Sequence, residues 1–174
     1  MAVSGITKRA LASALKELMD EMPFSAISVG DICQRREMNR KSFYYHFKDK
    51  YDLLNWIYDT EFLAVAQRRE QEGPWAFLAG LLSHLEAERV FYARAMAVTG
   101  QNSFQAHFRE LMEPLVMALL SQCAPGQTVT AFQVTFFTDG VMAALCRWPT
   151  EKSPAGAEEL LQSFRRCFSG EETA

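Results

Sequence analysis

The sequence predicts an all-α protein of about nine helices, with a three-helix N-terminal head followed by a larger helical domain. Three observations carry this. Apolar residues recur at three- and four-residue steps along nearly the whole chain, the spacing of one helix face. Capping residues and prolines fall between these stretches, Pro114 excepted. No segment shows convincing strand alternation, internal repetition or low complexity. With 174 residues, 49% of them apolar, the chain is long enough for one sizeable core or for a small domain fused to a larger one.

The elements follow in order. Ile6, Ala10, Leu11, Ala14, Leu15, Leu18, Met19 and Met22 form one face of a first helix, and Pro23 ends it because the residue before a proline avoids the α region. Ser28, with Asp31 three residues on, is a capping-box pattern that opens a short second helix with Ile32 inward. Asn39 caps a third short helix from about Arg40 to His46. Asp49 and Asp52 open a long fourth helix carrying Leu53, Leu54, Ile57, Tyr58 and Phe62. Gly73-Pro74 precedes a fifth helix, where proline suits the first turn. Val90 to Val98 is a sixth, ended by Gly100. Asn102 to Gln122 is a seventh, kinked at Pro114. Val129 to Trp148 is an eighth and Ala155 to Phe168 a ninth, before a frayed tail, SGEETA.

Charge is unevenly placed. Residues 1–50 carry nine Lys and Arg against six Asp and Glu, while the remainder carries nine against fifteen. A basic head on an acidic body directs any anionic partner to the head. The cysteines at 33, 123, 146 and 167 form no C-x-x-C pair, and buried reduced thiols are expected of them. No apolar signal core and no run of about 18 apolar residues is present, so a cytoplasmic protein outside the membrane is expected. No nucleophile–base pattern, phosphate loop or spaced ligand set points to an enzyme, a cofactor or a metal. His84 and His107 read as ordinary helix residues.

Two short helices joined by a few residues, with a longer helix packed on them, follow the helix-turn-helix plan. The second short helix fits a major groove about 12 Å wide. Its first residues, Asn39, Arg40, Lys41 and Ser42, all donate hydrogen bonds and would face base edges. Tyr44, Tyr45, His46 and Lys50 offer hydroxyl, imidazole and ammonium groups to the phosphate rims. Successive helical residues point about 100° apart, so Phe43, Tyr44, Tyr45 and Phe47 cannot all be buried.

The run ISVGDICQRREMNRKSFYYHFKDKYDLL, Ile27 to Leu54, resembles the helix-turn-helix signature of the TetR family of bacterial transcription regulators. The likeness in layout extends over about Ile6 to Tyr58, and FYYHFKDKYDLL is its most specific part. The resemblance implies a homodimer with double-stranded DNA as partner, a DNA-binding domain at 1–50, and a ligand-responsive dimerisation domain at 51–174. Carried over by position, Ser28 would contact phosphate, Arg40 and Lys41 would read bases or backbone, Tyr44, Tyr45, His46 and Lys50 would touch phosphates, and Phe43 and Phe47 would pack inward. One departure is plain. The family's turn commonly reads Ala-Gly and a small apolar residue, whereas here it is Arg36-Glu37-Met38. Either the turn leaves its usual left-handed conformation, or Glu37 adopts it at some cost. Lys41 likewise replaces a frequent glycine. With KSFYYHFKDKYDLLNW and the later GQNSF, these features resemble the subgroup around dihydroxyacetone-kinase operon regulators.

In the C-terminal part, the family reading places an apolar effector pocket among Trp75, Phe91, Tyr92, Phe104, Phe108, Phe132 and Phe136, with Arg94, Gln101, His107 and Gln133 as polar candidates. Plain core packing is the competing reading. The eighth and ninth helices are apolar on more than one face, which a second subunit would cover. Phe137, Val141, Leu145, Leu161, Phe164 and Phe168 are the expected dimer contacts, in a four-helix bundle across a twofold axis. The effector is then a small molecule or a protein co-regulator. A second role, regulation through a protein partner with modified or lost operator binding, is kept open by the unusual turn.

Overall fold

The structure, a computed structural model, describes residues 2–69, 72–98, 104–151 and 154–169. Among them are nine α-helices, two short 3-10 helices and no strand. The helices are α1 (Ala2–Glu21), α2 (Val29–Gln34), α3 (Arg40–His46), α4 (Lys50–Arg69), α5 (Pro74–Ala87), α6 (Arg89–Met96), α7 (Phe104–Cys123), α8 (Ala131–Arg147) and α9 (Ala157–Ser169). The 3-10 turns are Phe24–Ala26 and Trp148–Thr150. Gly100, Gln101 and Asn102, expected at the junction before α7, lie outside the described residues, as does the tail after Ser169.

The chain forms two compact units, Met1–Glu61 with Val90–Gln105, and Phe62–Arg89 with Ala106–Ala174. In the first unit α1 packs on α2 and α3, and Leu11, Leu15, Leu18 and Met19 are buried, as are Ile32, Phe43, Phe47, Leu53 and Leu54. Each such side chain contributes about 1.5–3 kcal/mol by leaving water. Helix α6 belongs to this unit despite its place in the sequence. Tyr58 of α4 meets Tyr92 of α6 and Phe104 edge-on, with centroids 6.2 and 5.3 Å away. Glu61 accepts hydrogen bonds from both Lys16 of α1 and Tyr92. The 1–50 segment lies wholly inside this unit, together with residues 51–61 and 90–98.

In the second unit α5 packs on α9. Leu78, Leu81, Leu82 and Leu85 face it from α5, and Ala157, Leu161, Phe164 and Phe168 recur on α9 at helical spacing, all buried. Glu86 Oε1 accepts from the Ala157 N–H at 3.1 Å, which satisfies a donor that the start of α9 leaves without an intrahelical partner. Helix α8 starts at Ala131, two residues later than expected, because Thr130 and Gln133 form a capping box. Its Thr138, Val141, Met142 and Leu145 are buried, so one face is already covered in the single chain. Pro114 sits inside α7, and the helix continues on both sides of it. The four thiols are unbridged. Cys33 is buried, Cys123 and Cys146 are half-buried, and Cys167 is exposed, which corrects the expectation that this thiol faces inward.

Candidate nucleic-acid interface

The interface is built on three caps. Ser28 Oγ accepts from the Asp31 N–H at 3.2 Å, and the Asp31 carboxylate takes the Ser28 N–H at 2.8 Å, closing the predicted capping box. Ser28 Oγ also donates to Asp31 at 2.7 Å. These bonds from Ser28 hold the Asp31 carboxyl below the usual range, with Arg40 adding a smaller pull. Asn39 Oδ1 accepts from the Ser42 N–H at 2.8 Å and starts α3. Asp49 Oδ1 accepts from Tyr51 and Asp52 at 2.8 and 2.9 Å, while Asp52 accepts from the Lys48 N–H at 2.9 Å.

Between α2 and α3 the turn resolves the alternative left open by the sequence. Glu37 adopts the left-handed conformation, φ 51°. The Met38 N–H donates to Cys33 O at 2.9 Å and the Glu37 N–H to Gln34 O at 3.2 Å, the crossed pair of a Schellman motif. That motif demands positive φ at the residue where glycine is usual, and Glu37 meets the demand with strain. The flanking arginines pin the turn to α1. Arg35 makes a bidentate pair with Glu21 at 2.8 and 2.7 Å, and Arg36 reaches Glu17 and Ser13 Oγ. Those pairs hold the Glu17 and Glu21 carboxyls low, the hydrogen bond from the arginine being the main cause in each.

Helix α3 divides its side chains by direction. Phe43 and Phe47 are buried. Asn39, Arg40 and Lys41 are exposed, Ser42 and His46 are half-buried, and Tyr44 and Tyr45 are 57% and 81% exposed. Tyr45 stacks edge-on against His46 at 4.9 Å. A short helix is thus fixed by its aromatic core residues and presents bases and phenols outward.

Lys50 is employed differently from its neighbours. Its ammonium donates to the carbonyls of Phe24, Ser25 and Ile27 at 2.8, 3.2 and 2.6 Å and lies over the Phe24 ring. An ammonium has three N–H groups, and three acceptors occupy them. Burial pulls its pKa below the ordinary lysine value, with Asp31 opposing. The residue expected at a phosphate thus closes the connector between α1 and α2. Its near-continuous basic neighbourhood gave no sequence signal for this.

The aromatic residues expected to line a pocket are shared between the two units. Phe91, Tyr92 and Phe104 are buried in the first unit. Phe108 is buried in the second unit, where Trp75 meets Phe168 at 5.6 Å. Phe132 and Phe136 stack at 6.1 Å on α8 and are 77% and 61% exposed. Of the polar candidates, Arg94 donates to the carbonyls of Met19 and Met22, Gln133 belongs to the α8 cap, and Gln101 lies outside the described residues. Of the expected dimer contacts, Phe137 is half-buried, whereas Val141, Leu145, Leu161, Phe164 and Phe168 are covered within the chain. An apolar groove of about 480 Å³ opens between α8 and α9 beside Phe136, Phe137, Val141, Phe164 and Phe168. Among the described residues, no group of three or more His, Cys, Asp or Glu is placed to hold a metal, and no helix is long and apolar enough to cross a membrane.

Three capped helices with a short, outward-facing third helix define a helix-turn-helix transcription regulator. Residues 6–57 match the family described as bacterial regulatory proteins, tetR family, and residues 74–170 match a transcriptional regulator C-terminal region. The chain belongs to the TetR family, whose members are transcription factors and not enzymes. The HTH-type dhaKLM operon transcriptional activator DhaS of Lactococcus lactis subsp. lactis (strain IL1403) is 31% identical over 99 residues, which are 56% of this chain and 53% of that protein. The match therefore spans about half the length of this curated relative. Two solved structures share the fold: a dihydroxyacetone kinase operon activator DhaS (TM-score 0.69, 23% identity, 95% of both chains) and a TetR transcriptional regulator from Streptococcus agalactiae 2603V (TM-score 0.76, 21% identity, 96% of both chains). These likenesses agree with the subgroup indicated by the KSFYYHFKDKYDLLNW run.

Proposed function

We propose that the protein is a homodimeric regulator that binds a roughly palindromic operator through two α3 helices and answers to an effector in its C-terminal domain. The observation that carries this is the division of α3: Phe43 and Phe47 are buried, while Arg40, Lys41, Tyr44 and Tyr45 are exposed. Asn39, Lys41 and Ser42 face base edges in this reading, Arg40 meets bases or backbone, and Ser28, Tyr44, Tyr45 and His46 meet phosphates. Lys50 supports them by holding the connector in place.

Dimerisation is assigned to α8 and α9. The support is the apolar groove between them and the exposed Phe132–Phe136 pair, a large apolar surface for a single chain. This moves Phe132 and Phe136 from the pocket to the interface. The effector, a small molecule or a protein co-regulator, is assigned to residues 51–174 as a whole. It acts by binding one DNA-binding state more tightly than the other. Likeness to an operon transcriptional activator favours positive control, with contacts to a partner protein as the second reading.

The test is light scattering together with footprinting on DNA from the protein's own locus. A dimer should protect two half-sites about 34–36 Å apart, or a multiple. Phe132→Glu with Phe136→Glu should give monomers that protect no paired site. Monomeric wild-type protein would sink the assignment.

A further inference from the structure

Gly30, inside the short α2, has a neighbour that explains its missing side chain. A Cβ built there would lie 2.6 Å from Arg40 Nη2 and 3.4 Å from Arg40 Cζ. The guanidinium therefore crosses from the first residue of α3 and rests on the bare backbone of α2. The same point lies 3.3 Å from Ser28 Oγ, so the guanidinium and the Ser28 hydroxyl stand on one side of Gly30. Asp31, next in the chain, feels the cation's field while its carboxylate accepts from Ser28, and Arg40 as a whole is exposed. Glycine is a poor helix former, and the Ser28–Asp31 capping box does not require it in this first turn. A seat for Arg40 accounts for it.

We infer that Gly30 is a positioning residue for DNA recognition: it lets Arg40 lie back toward Ser28, so that Arg40 grips the DNA backbone at the groove rim and leaves the base edges to Lys41 and Ser42. The inference rests on the DNA-binding reading above. The Arg40 guanidinium lies against Gly30 of α2, and a planar guanidinium takes two phosphate oxygens at once. A methyl group at position 30 displaces the far end of the flexible Arg40 side chain, while Ser28 Oγ, 3.3 Å away, need give only a few tenths of an ångström. Gly30→Ala therefore keeps the fold while moving the guanidinium.

The test uses a duplex selected from a random pool by the wild-type protein, its single-base variants, and a scrambled duplex of equal length. Affinities are read by fluorescence anisotropy over a salt series. Arg40→Ala should weaken the selected and the scrambled duplex alike, by roughly tenfold at physiological salt. It should lower the salt slope by about one per subunit and keep the ranking of the single-base variants. Gly30→Ala should give a smaller loss of the same kind, and no further loss when added to Arg40→Ala. Two results would overturn the inference: loss of discrimination at one base position in Arg40→Ala with the salt slope unchanged, or a Gly30→Ala loss that persists without Arg40. If the wild-type protein enriches no duplex, the DNA-binding reading itself fails and this inference with it.

Discussion

Arg94 Nη1 lies 3.1 Å from the carbonyl oxygen of Met22, so a residue of α6 caps the end of α1. The same nitrogen donates to Met19 O. The last carbonyls of a helix have no intrahelical partner, and a cation there also meets the negative end of the helix dipole. Helix α6 is thereby tied to the N-terminal head, together with the Tyr92–Glu61–Lys16 bridge.

Arg94→Ala should destabilise the first unit by about 1–3 kcal/mol, since half-buried carbonyls lose a charged donor. Hydrogen exchange should quicken in α6 and in the last turn of α1. Unchanged exchange in both would show that this contact does not hold them.

Glu37→Gly should stabilise the protein by about 1 kcal/mol. A non-glycine residue in the left-handed region costs about 1–2 kcal/mol, and the extra freedom of glycine in the unfolded chain returns part of the gain. Urea unfolding gives the answer, and an equal or lower midpoint would mean the turn carries no such strain.

Lys50→Met should destabilise the head by about 1–3 kcal/mol, because three carbonyls lose their donor and the apolar stem supplies none. The loss should show in thermal melting without DNA. A variant that melts like wild type, yet binds DNA more weakly, would return Lys50 to the phosphate role.

Acid should loosen the head. The Glu17, Glu21 and Asp31 carboxyls have folded pKa values below their ordinary ones. Groups shifted this way contribute stability that is full above the unfolded value, about 4, and is lost as pH falls through the folded value. Glu21→Gln should be less stable than wild type at pH 6 and converge with it near pH 3. Parallel melting curves across that window would contradict the assignment.

Much of the head was legible in the sequence because its signals are local. Ser28 with Asp31, Asn39 before Arg40, and Asp49 with Asp52 each mark a helix start within four residues. The buried face of α3, Phe43 and Phe47, came from the family resemblance, while helical spacing showed only that the four aromatics could not all be buried. Lys50 and Arg94 were not legible, since their carbonyl partners lie 23 to 75 residues away and a backbone oxygen leaves no mark in a sequence. Nor was Gly30, whose reason is a side chain ten positions on. The burial of the C-terminal aromatics was not legible for a related cause. Composition and spacing identify apolar residues, but Tyr92 and Phe136 differ only in what packs over them, and that is set by the fold.

The most direct measurement is the affinity of the dimer for duplex DNA from its own locus across a salt series. The account predicts binding whose logarithm falls linearly with the logarithm of salt concentration. It also predicts that Arg40→Ala with Lys41→Ala lowers both affinity and slope. Absence of salt-dependent binding, or binding that the double substitution leaves unchanged, would contradict it.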